Sequence, residues 1–167
     1  MPAKHKSTAS SDSPMIETYV HRGKGYNPFL IRDGWQVAQL NYMPEQRASA
    51  IHKVDRHLAT DEVFILSKGK SVLIAAKESA NGLRFKTVRM KPGVTYNIPR
   101  MMWHNIAMLR GDQVMIVEKS NTHLGDFEYR PLGAEEERDL QAKIKRSMRI
   151  NGSSRKDSRN PHESIAK

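Results

Sequence analysis

The chain has 167 residues and no cysteine, 38% of its residues are hydrophobic, and its formal net charge is +10. That length suits one domain with tails, and without cysteine there is no disulfide framework, thiolate zinc site or cysteine nucleophile, so any metal must be held by His, Asp or Glu. No window reaches the roughly 18 apolar residues of a membrane span and the first residues lack the apolar core of a signal peptide, which predicts a cytoplasmic protein without membrane attachment.

Residues 1–14 are rich in Ser, Lys and Ala with no apolar period and read as a disordered leader. A β-rich domain is expected over residues 15–132, where short β-favouring runs alternate with turn signals: Tyr19 to His21, Phe29 to Ile31, Trp35 to Tyr42, Val63 to Leu66, Ser71 to Ala75, Leu83 to Met90, Val94 to Ile98, His104 to Leu109 and Val114 to Glu118. Asp33-Gly34, Gly69, Asn81-Gly82, Pro92-Gly93 and Arg110-Gly111-Asp112 separate them. Many short strands at close spacing predict a sandwich or barrel. Residues 133–150 read as a helix: Glu135, Glu136 and Glu137 open it, Lys143, Lys145, Arg146 and Arg149 close it, and both signs suit the helix dipole. Leu140, Ile144 and Met148 form a narrow apolar stripe that either lies against the barrel or a second subunit or leaves a mostly solvated helix. Residues 151–167 read as a basic disordered tail. From Lys143 to Lys167 there are eight Lys/Arg against two Asp/Glu, but no aromatic residue to stack on a base, so nucleic acid is not the expected partner.

The residues suited to chemistry begin at Asp55-Arg56-His57. On a strand, Asp55 and His57 share one face and Arg56 takes the other. Four residues intervene before Glu62, and six more separate it from Gly69; further on, Gly93 is followed by five residues, Pro99, four residues and His104. These spacings resemble the two motifs of the cupin superfamily, His-x-His, three or four residues, Glu, six residues, Gly, and then Gly, five residues, Pro-x-Gly, two residues, His. Asp55 stands where the family has its first histidine, Met101 where the second motif has its glycine, and Met108 in place of the usual closing Asn. The match covers Gln36 to Thr122. The segments Arg56-His57, Thr60-Asp61-Glu62-Val63-Phe64 and Trp103-His104 also look like small bacterial cupins.

The resemblance implies an all-β, jelly-roll barrel of cupin type with a C-terminal helix and disordered tails, and a homodimer, since pairing would cover a sheet edge. It also implies a pocket in which His57, Glu62 and His104, with Asp55 as a further oxygen ligand or general base, hold a divalent ion such as Fe, Mn, Ni or Zn. The residue reading leaves alternatives. The histidines can serve as hydrogen-bonded pocket residues without metal, Glu62 can pair with Arg56 or Lys68 at a strand edge, and Asp61 can be the inward carboxylate, because strand alternation fixes parity but not which face is inside. His52 reads as a surface histidine. If Glu62 faces inward, Phe64 shares its face, as core or as a substrate-binding platform, whereas Trp103 points away from His104; Tyr96, Asn97 and Arg100 are candidates to hold a polar or anionic substrate group, with Met101 and Met102 as a soft rim.

Three functions follow from such a pocket. The first is an enzyme that uses Asp55 and His57 as acid and base, or the metal as Lewis acid, on a small polar substrate. The string Ile98-Pro99-Arg100-Met101-Met102-Trp103-His104 resembles the second motif of nucleotide-sugar isomerases of the cupin type, which implies isomerase- or lyase-type chemistry on a carbohydrate-like molecule. The second is a non-haem Fe(II) oxygenase, whose sites use two His and one carboxylate. The third is a non-catalytic module that binds or senses a small effector and contacts a partner through its basic tail.

Overall fold

The computed structural model describes residues 14–149. The expected leader, apart from Pro14, and the expected basic tail lie outside the described residues. Among the described residues, ten strands and one α-helix follow in chain order: β1 (Gly25–Arg32), β2 (Trp35–Asn41), β3 (Lys53–Arg56), β4 (Glu62–Lys68), β5 (Val72–Ser79), β6 (Gly82–Arg89), β7 (Thr95–Ile98), β8 (Trp103–Ala107), β9 (Gln113–Glu118), β10 (Glu128–Pro131) and α1 (Ala134–Arg149). They form two five-stranded sheets, one in the order β1-β2-β9-β4-β7 and the other β10-β3-β8-β5-β6. All the paired strands are antiparallel. Consecutive strands repeatedly cross from one sheet to the other, as in a double-sheet jelly roll.

Residue alternation explains the packing. In β9, Val114 and Ile116 are buried and the residues between them are half-buried. They meet Ala38, Leu40, Phe64, Leu66, Leu73, Ile106 and Met108 between the sheets, which is the barrel core. β5 reads differently: Val72, Leu73, Ile74 and Ala76 are all buried. A continuous apolar run marks a strand covered on both faces. Leu73 faces the barrel core, whereas Val72, Ile74 and Ala76 join Phe85, Trp103, Leu140 and Ile144 in a second core on the opposite face of that sheet. Helix α1 covers this face. Leu140 and Ile144 are almost fully buried, so the stripe lies against the barrel of its own chain, and burying each such side chain is worth about 1.5–3 kcal/mol.

Two predicted features differ in the structure. Tyr19 to His21 is not a strand; the carbonyl of His21 accepts from the side-chain amides of Gln39 and Asn41 instead of a strand neighbour. β10 was not visible as a strand, being four residues long, polar and closed by Pro131, which suits only a sheet edge. Gly69, which ends β4, adopts φ +100°, and a Cβ there would stand 1.8 Å from Oδ1 of Asp112. Asp112 needs that space, because its carboxylate ties the turn together by accepting from the N–H groups of Lys70 and Leu109 and the hydroxyl of Ser71.

Candidate metal centre

The two sheets open at one end on a cavity of about 370 Å³. Asp55 and His57 come from β3 and the loop after it, Glu62 from the start of β4, and His104 from β8, directly opposite Asp55 in register. All four line the cavity. His57, Glu62 and His104 are buried, while the Asp55 side chain is 28% exposed. The alternation in β8 sends His104 inward and Trp103 to the outer face beneath α1, where the guanidinium of Arg56 lies 4.3 Å from its ring. Arg56 also pairs with Glu128 at 2.7 Å, so it is not the partner of Glu62.

Nε2 of both imidazoles points at one atom, Oε2 of Glu62, at 3.1 Å from His57 and 2.6 Å from His104. The other ring nitrogens are occupied: Nδ1 of His57 donates to the Asp126 carbonyl at 2.7 Å, and Nδ1 of His104 to the Met102 carbonyl at 2.9 Å. A carbonyl only accepts, so each Nδ1 carries hydrogen and each Nε2 is left to hold a proton or a metal ion. Asp126 also fixes the loop beyond His57, since its carboxylate accepts from the N–H groups of Leu58 and Ala59.

Burial opposes charge on these groups, but they stabilise one another. It would depress both histidines, yet hydrogen bonds and charge from Glu62 bring each up to about 9. It would raise Glu62, yet the two imidazoles hold it at about 2. Asp55 is raised by burial, and so is Glu118, with further repulsion from Glu62. Cation and carboxylates are thus packed at the mouth of one cavity. The ligand atoms fit a divalent ion: Asp55, His57 and His104 each bring one within 4.8 Å of the others, as do His57, Glu62 and Glu118. Nitrogen and oxygen donors in this ratio suit Fe(II), Mn(II), Ni(II) or Zn(II).

The other sequence candidates fall in different places. Phe64 lines the cavity with its ring edge-on to His104, centroids 6.0 Å apart. Tyr96 and Arg100 do not line it: the Tyr96 hydroxyl accepts from the N–H of Lys91, and Arg100 is exposed, with its N–H donated to Asp61. Asp61 is exposed and accepts from Asn97 as well. Glu62 is therefore the inward carboxylate of the pair. His52 is an exposed histidine, bonded to Glu137 at 2.9 Å. Sequence reading missed Glu118, Tyr26, Gln36 and His123. Glu118 had a signal, because it stands in phase with Val114 and Ile116; so did Gln36, in phase with Ala38 and Leu40. No family motif extends to either.

No protein-family model matches the sequence, and no curated protein matches it. Among solved structures, the chain is similar to KdgF from Halomonas sp. (11% identity, TM-score 0.41, covering 57% of this chain and 77% of that one). It is also similar to the capsular polysaccharide assembling protein CapF from Staphylococcus aureus (18%, 0.45, 68% and 34%) and to a cupin-2 domain containing protein from Shewanella frigidimarina (19%, 0.41, 59% and 84%). It spans about a third of the length of CapF. The strand order of the two antiparallel sheets, with both sequence motifs opening on the cavity between them, makes this fold a cupin-type β-barrel with a C-terminal helix.

Proposed function

We propose that the chain is a metal-dependent enzyme that acts on a small, polar, carbohydrate-like molecule by isomerase- or lyase-type chemistry. The observation that carries this reading is the convergence of Nε2 of His57, Nε2 of His104 and Oε2 of Glu62 in the mouth of an accessible cavity. A divalent ion held there supplies Lewis acidity toward a substrate carbonyl or hydroxyl oxygen. The rest is done by the protein's own residues. Asp55 is the most exposed of the site carboxylates, and its raised pKa suits a group that takes a proton from the substrate and returns it. Tyr26, Phe127 and Tyr129 line the cavity with aromatic surface suited to the apolar side of a sugar-like ring, and the carboxylates can accept from its hydroxyls. Lys53 brings a cation to the same lining, with Nζ 3.5 Å from the Tyr129 ring centroid, where an anionic substrate group can meet it.

The composition of two imidazoles and one carboxylate also supports an Fe(II) oxygenase as a second reading. The metal separates the two. Elemental analysis of untagged protein should find about one ion per chain in the wild type and almost none in His57→Ala or His104→Ala, because loss of one of three ligands dismantles the site. Retained iron with oxygen consumption would favour the second reading. No uptake of Mn, Fe, Ni or Zn on reconstitution would overturn both.

A further inference from the structure

Glu118 is a buried carboxylate beyond the reach of the two sequence motifs. It closes β9 directly opposite Gln36 of β2, and its side chain is 2% exposed. Its two oxygens have unlike surroundings. Oε1 accepts from the Tyr26 hydroxyl and from Nε2 of Gln36 at 2.9 Å. Gln36 is itself fixed: its Nε2 also donates to the Tyr26 hydroxyl at 2.8 Å, and its Oε1 accepts the N–H of Asn121 at 2.7 Å. Oε2, by contrast, is buried, has no hydrogen-bond partner among the described residues and lies 3.8 Å from Nε2 of His57, in a residue that lines the cavity. A buried acceptor left unmet is unfavourable, and more so when it is charged.

We propose that Glu118 is a fourth protein ligand of the divalent ion, binding through Oε2 beside His57, Glu62 and His104, and that Asp55 is thereby left to face the substrate. This rests on the reading of the cavity as a metal centre. Two atoms each bound to one ion at about 2.1 Å lie roughly 3.0 Å apart at right angles and at most about 4.2 Å apart when opposite. From Nε2 of His57, Oε2 of Glu62 at 3.1 Å and Oε2 of Glu118 at 3.8 Å both fall in that span. Tyr26 and Gln36 then act as the outer partners that hold a ligating carboxylate in one orientation. Asp55, at 4.0 Å from Nε2 of His104, lies within the same span, but its side chain is 28% exposed where that of Glu118 is 2% exposed. A second carboxylate makes the donor set harder, which favours Mn(II) or Fe(II) over softer ions.

The test is titration of chelator-stripped full-length protein with Mn(II), following free Mn(II) by electron paramagnetic resonance and the bound ion by water-proton relaxivity. Glu118→Gln keeps the side chain's shape and should weaken Mn(II) binding roughly tenfold or more, since even outer partners of ligands are worth about 10–100-fold. The bound ion should also gain one coordinated water, a change that a purely electrostatic or structural role would not produce. Equal affinity and equal hydration in wild type and variant would overturn the assignment of Glu118 while leaving the metal centre standing. A wild type that takes up no Mn(II), Fe(II) or Zn(II) would overturn the metal centre itself. Should Glu118→Gln fail to fold, Tyr26→Phe decides: removing one clamp should weaken binding several-fold, about the lower end expected for an outer partner, and unchanged affinity would overturn the proposal.

Discussion

Met101 holds φ at +67°, the left-handed conformation in which Cβ crowds the following carbonyl at a cost of about 1–2 kcal/mol. It occupies the position where the motif that the sequence resembles has glycine, and the backbone there takes a shape that suits glycine better than methionine. The reason lies in the loop: the N–H of Met101 donates to the His57 carbonyl at 2.7 Å, and that of Met102 to Pro99 at 3.1 Å, which ties the start of β8 to the segment carrying His57. The Met101 side chain is 47% exposed, so little apolar burial would be lost with it. Met101→Gly should therefore stabilise the protein by about 0.5–1 kcal/mol, after the extra freedom glycine gives the unfolded chain is subtracted. Its denaturation midpoint should rise with an unchanged slope; a fall would show that the methionine contributes packing that outweighs the strain. Single residues were legible where parity alone decides. Trp103 and His104 had to face opposite ways, as did Arg56 and its neighbours. The choice between Asp61 and Glu62 was not, because it depends on Asn97 and Arg100, which reach Asp61 only once β7 has paired with β4.

At the scale of elements, the strands were legible where turn chemistry punctuates them. Asp33-Gly34 joins β1 to β2 in a two-residue hairpin, with Gly34 at φ +83°, and sequence reading bounded both strands there. β10 carried no comparable pattern, since its pairing with β3 comes from the neighbour rather than from its own residues. Helix α1 was legible by charge and stripe, but its attachment was not. Its N-terminal end is fixed by Glu136, which in the first turn accepts both guanidinium nitrogens of Arg130 at 3.0 Å, the N–H of Gly133 at 3.0 Å and the N–H of Leu83 at 2.8 Å. It caps the helix and bolts it to β10 and β6. The Arg130 hydrogen bonds, helped by those backbone donors, hold the Glu136 carboxyl down at about 2, below its ordinary 4.5. A carboxyl lowered on folding gives stability that is complete above the unfolded value and drains away as pH falls through the folded one. Glu136→Gln should thus cost about 1–2 kcal/mol at neutral pH, lowering the thermal midpoint by roughly 3–8 °C. The gap to wild type should narrow from about pH 4.5 downward to about 2, where the unfolded chain's carboxyl takes up a proton that the native one still resists. A gap independent of pH would show that the side chain acts by shape alone.

For the molecule as a whole, the decisive feature is that one sheet has a core on each face. The sheet β10-β3-β8-β5-β6 presents Leu73, Ile106 and His104 to the barrel interior and Val72, Ile74, Phe85 and Trp103 to α1. The helix is accordingly part of the domain that positions the site, because β8 carries His104 on one face and rests on the helix core through Trp103 and Ala107 on the other. The basic charge that opens within this helix therefore divides in two. Residues 143–149 belong to the packed helix: Ile144 is 1% exposed, Ser147 exchanges a hydrogen bond with Thr87 at 2.8 Å, and the Met148 carbonyl accepts from Arg89. Residues 150–167, with four Lys/Arg against two Asp/Glu, lie beyond it. Two truncations separate the roles. A chain ending at Arg149 should keep its thermal midpoint and its metal uptake, and should lose only such partner binding as depends on the basic residues of 150–167. A chain ending at Ala142 removes Ile144 and uncovers the outer core, which should cost at least about 2–5 kcal/mol and drop the midpoint by roughly 6 °C or more. If the two truncations behave alike in thermal unfolding, α1 adds nothing beyond its first turns and the outer core is stabilised without it; if the longer one also loses metal, residues 150–167 take part in the site.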